Sequence, residues 1–222
     1  MSKKHKNEIE EFAGISDMLE GKHQVIPIVS TEDDEIATDV VIPDQLPILT
    51  LRSSVLFPGS ITPITVGREK SMRLIREVEN GAGILGAALQ KEADIEQPGP
   101  DDIYKIGTAA RILKILEMPN GNLTVILHGL EKIEITEFLS SDPYFTAKVN
   151  PLKDSAPERG NVEFDALVDS IRDVALNIIN ISPNMPKEAS FAIKNIDSKR
   201  GIINFICSNI DLADADRQRL LE

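Results

Sequence analysis

Residues 46–71 read LPILTLRSSVLFPGSITPITVGREKS, and this stretch decides the fold of the first half of the chain. The apolar run at 46–51 is typical of a buried strand. Phe57-Pro58-Gly59 then predicts a turn, because proline fixes its own φ and glycine adopts conformations that other residues resist. The apolar residues after the turn predict a second strand. Pro63 lies within it and cannot donate to a ladder, so we expect an edge strand or a bulge.

A small, mostly antiparallel sheet with one helix is predicted to extend to about residue 150. An apolar stripe on Met72, Ile75 and Val78 predicts a helix over 69–79, ended by Asn80-Gly81. Alternating or continuous apolar runs predict the later strands, at 84–89, 103–117, 123–138 and 144–149, with a hairpin turn at Pro119-Asn120-Gly121-Asn122 and a bend at Gly129.

The hydrophobic period changes to that of helices after residue 160. Apolar residues spaced three and four apart predict a helix that ends near Ile181, before Ser182-Pro183. Three more helices are expected, from Pro186 to Lys194, over 199–209, and from 211–213 to Leu221. The chain is therefore predicted to be α+β, divided into an acidic, largely disordered leader (1–45), a β-rich domain (46–150), a linker (151–160) and a helical subdomain (161–222).

Composition and charge limit the class of protein. The 222 residues are 41% hydrophobic but only 4% aromatic, so they can bury real cores that must be aliphatic. There is no apolar stretch long enough to span a membrane and no signal peptide, and the lone Cys207 excludes an internal disulfide, which indicates the cytoplasm. The leader carries 4 Lys and 11 Asp or Glu, more than half of the net charge of −12. Its Ile9, Phe12, Ile15, Met18 and Leu19 have the spacing of one short amphipathic helix.

The sequence contains no complete catalytic motif. The stretch 81–86 matches Gly-x-Gly-x-x-Gly, but a predicted helix precedes it and a predicted strand follows, the reverse of a dinucleotide-binding site. It also has Walker-A glycine spacing, yet Ala87-Ala88 stands where Lys-Ser/Thr would bind phosphate and magnesium. The three histidines, His5, His23 and His128, are scattered. We therefore expect no catalytic, cofactor-binding or metal-binding residue in this chain.

The ordered motifs of residues 46–222 resemble the amino-terminal region of the ATP-dependent protease Lon. The resemblance rests on four blocks: Leu46-Pro47 through Arg52, Phe57-Pro58-Gly59 and Pro63 to Val66-Gly67-Arg68-Glu69-Lys70-Ser71; Asp102-Ile103-Tyr104-Lys105-Ile106-Gly107 with Ala110-Arg111-Ile112; Pro119-Asn120-Gly121 leading to Gly129-Leu130-Glu131-Lys132; and Ser182-Pro183-Asn184-Met185-Pro186. Lys132 is a departure, since the family commonly has arginine there.

The resemblance implies a β pseudobarrel related to the PUA fold, and a function in substrate recognition and assembly. A complete Lon subunit is a homohexameric ATP-dependent serine endopeptidase that degrades misfolded and short-lived regulatory proteins. Its AAA+ module binds ATP and magnesium and precedes a peptidase with a Ser-Lys dyad, and this chain would stop before both. The implied partners are unfolded or degron-bearing proteins and other subunits of the hexamer, with no membrane. We expect no ATPase or peptidase turnover from residues 1–222 alone.

The candidate substrate-contacting residues lie at three places: Phe57 and Pro58 in the turn, Arg68, Glu69 and Lys70 at the helix start, and Met118 and Pro119 at the hairpin tip. Each has an alternative, because Phe57 can fill the core, the charged trio can be an ordinary solvated helix start, and Met118 can cap the hairpin's core face.

Two other functions remain open. The chain can be a free-standing module for a peptide or small ligand, or a nucleic-acid binder, against which its acidity argues.

Overall fold

The computed structural model describes residues 28–29, 40–153, 157, 160–182 and 187–222. Its strands are β1 (Ile28–Val29), β2 (Gln45–Leu51), β3 (Ser60–Val66), β4 (Ile84–Leu89), β5 (Ile106–Glu117), β6 (Leu123–Ser140) and β7 (Thr146–Pro151). Its α-helices are α1 (Glu69–Glu79), α2 (Val162–Ile181), α3 (Lys187–Asn195), α4 (Lys199–Asn209) and α5 (Asp214–Leu221), with a short 3-10 helix at Pro100–Asp102. These elements fit the predicted order of strands followed by helices.

Five strands close into a ring. The order along the sheet is β1-β3-β6-β5-β4-β2-β7, and β6 also pairs with β7. The long strand β6 makes this closure, because its first part pairs with β3 and β5 and its last part with β7. Among the described strands, β2 and β4 form the one parallel pair. The prediction of a mostly antiparallel sheet is confirmed.

Pro63 lies in an edge strand, the first of the two predicted alternatives. Strand β3 pairs with β6 from Ile61 to Val66, whereas β1 reaches only Ser60 and Ile61 on the opposite side.

The predicted bend at Gly129 coincides with a register shift, where Ala109 and Ala110 pair with Glu131 and Gly129 and leave Leu130 as an extra residue on β6. Such a bulge bends the strand that contains it.

Both faces of the ring strands are buried. Alternate residues of β4 point to opposite sides, so Leu85 and Ala87 join one apolar cluster and Ala88 joins another. Helix α1 covers the first cluster with Leu74, Ile75 and Val78. The buried members of both clusters are aliphatic, as the scarcity of aromatic residues predicts.

Helices α2, α3 and α4 share a third apolar cluster, which includes Val168, Ile193 and Phe205. Side chains cap two of these helices. Asn161 accepts a hydrogen bond of 3.0 Å from the backbone N–H of Phe164, and Ser198 accepts one of 2.8 Å from Gly201. Caps of this kind satisfy N–H groups that have no partner within the helix.

The last helix, α5, packs back on the strand ring. Its Leu221 is buried in a fourth cluster with Val55, Phe57 and Leu89. The backbone carbonyl of Glu222 also accepts a hydrogen bond of 3.4 Å from Lys132 Nζ. The helical and β-rich parts of the chain are therefore joined by buried apolar contacts as well as by the connection between β7 and α2.

Parts of the predicted leader lie on the strands. Strand β1 pairs with β3, Ile42 is buried, and the carbonyl of Asp44 accepts a hydrogen bond from the backbone N–H of Val149. The predicted amphipathic helix at Ile9–Leu19 lies outside the described residues. In the described part of the chain, no helix has the length and hydrophobicity needed to cross a membrane.

Candidate functional site

A cavity of about 340 Å³ lies beside the first turn of α1. We call it the helix-start cavity. Four segments meet there: the middle of β2, the first turn of α1, the loop after β4, and the residues before β7. The lining residues are Ile48, Thr50, Arg68, Glu69, Lys70, Ser71, Leu74, Glu96, Gln97, Pro98, Tyr144 and Phe145.

The helix-start cavity combines an apolar interior with a charged rim. Ile48 and Leu74 are buried members of the two clusters beneath it. Tyr144 and Phe145 contribute aromatic surface and Pro98 an apolar ring, while Glu69 and Lys70 are exposed. Cavities of this size and composition bind small ligands or single side chains, with the polar groups fixing the orientation of the guest.

Arg68 holds the wall of the cavity together. Its guanidinium donates hydrogen bonds to Thr50 Oγ1 at 3.3 Å, to Gln90 Oε1 at 2.8 Å and to the carbonyl oxygen of Ile95 at 3.0 Å. Burial lowers the pKa of Arg68, and the nearby Arg52 guanidinium lowers it further, while Glu96 acts in the opposite direction. The predicted alternative of a solvated helix start is therefore wrong for Arg68, which is half-buried and joins β2 to the loop that follows β4.

Glu69 and Lys70 remain at the surface. Lys70 Nζ donates a hydrogen bond of 3.0 Å to the carbonyl oxygen of Ser141, in the segment before β7. Glu69 lies in the first turn of α1, where the macrodipole favours a negative charge. The rim thus presents both charge signs beside the aromatic wall, an arrangement suited to the polar backbone and mixed side chains of a peptide.

Tyr144 is fixed to α1 by a hydrogen bond. Its hydroxyl donates to Glu77 Oε2 at 2.7 Å, and Arg73 Nε donates to Glu77 Oε1 at 2.9 Å. The Arg73 bond, followed by the Tyr144 bond, lowers the pKa of Glu77. The bond to Glu77, followed by burial, raises the pKa of Tyr144. The aromatic wall is therefore positioned by a carboxylate one helical turn beyond Leu74.

The other predicted contact residues lie away from this cavity. Phe57 is 1% exposed and Pro58 is buried, so Phe57 fills the core, which was the alternative reading of its role. Met118 and Pro119 are exposed at the hairpin tip between β5 and β6. The structure thus gathers Arg68, Glu69 and Lys70 into one site, leaves the hairpin tip as a separate surface and places the turn in the interior.

Sequence reasoning did not find the aromatic wall or the loop of the cavity. Tyr144 and Phe145 lie far along the chain from Arg68, and they reach the cavity because β7 pairs with the first residues of β2. The one available signal was the rarity of aromatic residues, since two of the nine stand side by side here. Nothing in the pattern, however, indicated which strands would be neighbours.

Two kinds of side chain, possible metal ligands and the single cysteine, can be located in the described part of the chain. Among them, no group of three or more His, Cys, Asp or Glu side chains is placed to hold a metal ion. Cys207 is half-buried against the cluster around Phe57, and burial raises the pKa of its thiol, which disfavours the reactive thiolate.

Comparison with known proteins gives consistent similarities. Residues 45–222 match the family "ATP-dependent protease La (LON) substrate-binding domain". Lon protease of Flavobacterium johnsoniae is 45% identical over 203 residues, which are 91% of this chain and 25% of that protein. Lon protease of Cytophaga hutchinsonii is 38% identical over 198 residues, which are 89% of this chain and 24% of that protein. The chain thus spans about a quarter of the length of these relatives.

Two solved structures share the fold. The N-terminal domain of Mycobacterium avium complex Lon protease superposes with a TM-score of 0.65 at 17% identity, covering 80% of this chain and 90% of that one. A Lon N-terminal domain protein from Xanthomonas campestris gives a TM-score of 0.54 at 17% identity, covering 80% and 89% of the two chains.

Proposed function

Since this chain belongs to the Lon protease family, as its N-terminal substrate-binding domain, we propose that it captures unfolded or degron-bearing proteins for degradation. In this proposal the chain performs no chemistry. A full-length protein would supply ATP hydrolysis, with magnesium, from an AAA+ module and peptide cleavage from a serine peptidase module. It would assemble as a hexamer in the cytoplasm and degrade misfolded and short-lived regulatory proteins. We also propose that the strand ring is the PUA-like pseudobarrel, an interpretation supported by the pairing of β6 with both β5 and β7.

The observation that carries the proposal is the composition of the helix-start cavity. Folded proteins bury most of their large apolar side chains, whereas unfolded segments expose them together with unpaired backbone groups. The aromatic and aliphatic interior suits an apolar side chain of such a segment. The exposed Glu69 and Lys70, with Glu96 of the loop, suit the polar groups that flank it.

The size of the helix-start cavity indicates that it holds a client at one position only. About 340 Å³ accommodates one large side chain or two small ones, so a client would be bound by a short stretch. One such contact is weak, because binding an unfolded segment also costs the entropy of ordering it. Weak, general capture matches the need to bind many different clients.

The test is a binding titration of the 222-residue chain with a fluorescently labelled, permanently unfolded polypeptide. Ser71→Phe places a ring in the cavity, and we expect the Kd for the polypeptide to rise about tenfold or more. Glu79→Phe is the matched control, since it adds the same ring to an exposed position of α1 outside the cavity. Equal Kd values for the two variants and the unaltered chain would reject the cavity as the client site. Binding of a folded protein or a small metabolite instead would favour the free-standing module.

A further inference from the structure

An apolar stripe on α2 lies open to solvent. Its five members are between 44% and 79% exposed, and they are Leu167, Ile171, Val174, Ile178 and Ile181. The intervals between them alternate between four and three residues, which places them on one side of the helix. Another side of α2 packs into the helical core through Val168 and Ile179. The three-and-four spacing of Leu167, Val168, Ile171, Val174 and Ile178 predicts one apolar face, and this prediction is wrong because α2 has two apolar sides.

We propose that the α2 stripe is a docking surface for the α2 stripe of a second copy of this chain. The alternation of four and three has a mean of 3.5 residues, the repeat that keeps an apolar seam facing a partner helix along its whole length. Because the α2 stripe is continuous and straight, its shape fits another helix. The inference specifies one contact within the proposed self-association, and it does not depend on client capture.

The charges around the stripe favour contact between identical copies. Each chain carries a net charge of −12, so most pairs of surfaces on two copies repel each other. The open flank of the stripe carries Ser170 and Asn177, which are uncharged and can hydrogen-bond across a seam. At the helical period, Asp169 and Asp173 fall outside the seam. Two copies can therefore meet here without bringing like charges together.

An antiparallel arrangement fits the stripe better than a parallel one. In a parallel pair, the two Glu163 side chains at the start of α2 would lie beside each other and the two macrodipoles would align. In an antiparallel pair about a two-fold axis, Ile171 of one copy meets Val174 of the other, and Leu167 meets Ile178. The same four side chains then serve both sides, as an isologous interface requires, and Ile181 lies beyond them at the end of the stripe.

The area of the stripe favours a reversible dimer over an obligate one. Five half-exposed apolar side chains and their flanks bury on the order of 500 Å² per copy, or about 1,000 Å² in total, at the lower limit for a specific interface. We therefore expect a reversible dimer with a Kd in the micromolar range, rather than an obligate one.

The test is sedimentation velocity of the 222-residue chain over a concentration series spanning about 1 to 200 µM, a range that brackets the expected affinity. We expect a monomer–dimer equilibrium whose Kd rises at least about tenfold in Val174→Glu, because the seam would bury an unpaired charge. Asn180→Glu, which adds the same charge to an exposed position of α2 outside the stripe, should leave the dimer unchanged. A mixture of Val174→Glu and Ile171→Lys chains should form heterodimers that are tighter than the homodimer of either variant.

Three results would overturn the proposal: a monomer throughout the series, a dimer that persists in Val174→Glu, or equal loss in Asn180→Glu. Unchanged circular dichroism of each variant establishes that the exposed substitutions leave the fold intact. The client titration with Val174→Glu separates the two proposals. If Val174→Glu loses the dimer and still binds the client, the result supports the α2 stripe as the dimer contact. If Ser71→Phe fails to weaken client binding, only the proposed client site is rejected.

Discussion

The side-chain amide of Gln218 donates a hydrogen bond of 2.9 Å to the carbonyl oxygen of Ile106, which lies 112 residues earlier in the chain. Gln218 is 1% exposed, so this bond is shielded from water. It joins α5 to the first residue of β5, near the buried apolar cluster that Leu221 shares with Phe57. The orientation of α5 is thus set by one buried polar contact and one buried apolar contact.

Replacing Gln218 should loosen α5. In Gln218→Ala, the Ile106 carbonyl loses its donor and a void opens, so we expect the free energy of unfolding to fall by about 1–3 kcal/mol. Urea titration measures the loss, and amide exchange should show faster opening within 214–221. Arg219→Ala, on the exposed side of the same helix, should change stability by less than about 0.5 kcal/mol. Equal losses for both variants would show that the buried bond contributes nothing.

Gly129 is the position where β6 passes closest to the Phe57 turn. A Cβ added there would overlap the carbonyl oxygen of Phe57, and backbone atoms cannot move aside as a side chain can. We expect Gly129→Ala to reduce the free energy of unfolding by at least about 2 kcal/mol. Gly81→Ala is the control, because a Cβ at Gly81 meets its nearest neighbour at an ordinary 3.6 Å. Thermal unfolding of a Gly129→Ala chain at the unaltered midpoint would contradict the close approach.

Arg68 should act mainly through the loop that follows β4. Arg68→Lys keeps the charge but loses the planar fork, whose Nη1 reaches Thr50 while its Nη2 reaches both Gln90 and Ile95, so we expect about 1–2 kcal/mol less stability. Amide exchange over 91–98 should also accelerate. Arg76→Lys makes the same substitution on α1 at an exposed ion pair with Glu117, and it should leave both quantities unchanged. If loop exchange stays slow in Arg68→Lys, another group holds the loop.

The Tyr144–Glu77 bond predicts a shifted phenol titration. Because the bond to Glu77 raises the pKa of Tyr144, its stabilising effect is present below the ordinary value of 10.0 and is lost as pH rises through the folded value. Glu77, with its lowered pKa, gives a contribution that is present above its ordinary value of 4.5 and is lost as pH falls through the folded value. Stability from this pair should therefore be greatest between these limits.

Ultraviolet absorbance can follow Tyr144 alone in a Tyr104→Phe background, since the chain has two tyrosines. Glu77→Gln should bring the pKa of Tyr144 down toward 10.0, because the charged acceptor is gone. Glu79→Gln, at an exposed position of α1, should leave it where it was. An identical titration curve for Glu77→Gln would show that the hydrogen bond does not form in solution.

Local signals in the sequence predicted local structure well. The helix expected over 69–79 is observed at Glu69–Glu79 and the one over 199–209 at Lys199–Asn209, because apolar periodicity and end signals are both strong there. The strand expected to begin at 103 begins at Ile106 instead. Ile103 pairs with Gln90 through an isolated bridge, ahead of the continuous ladder. The ends of a strand depend on which other strands it pairs with, and a single sequence does not show this pairing.

Long-range relationships account for what the sequence could not predict. The parallel pairing of β2 with β4, the closure of the ring by β6 and β7, and the return of α5 all join residues far apart in the chain. Arg68, Glu69 and Lys70 were predicted as contact residues from their charge and their position at a helix start. The aromatic residues on the other side of the helix-start cavity, Tyr144 and Phe145, are brought there by strand pairing. Period and composition indicate which residues are buried, and they do not indicate which of them meet.

The apolar cluster that contains Phe57 and Leu221 also constrains the order in which the chain can fold during its synthesis. Val55 and Phe57 leave the ribosome early, whereas Leu221 follows only after strands β3 to β7 and helices α1 to α4 have been made. Until then, the ring of Phe57 and its aliphatic neighbours are not covered by α5. A nascent chain with exposed apolar surface is prone to aggregate. The Phe57 turn therefore depends on a helix that is made much later, and a chaperone that shields this turn would act in the interval between them.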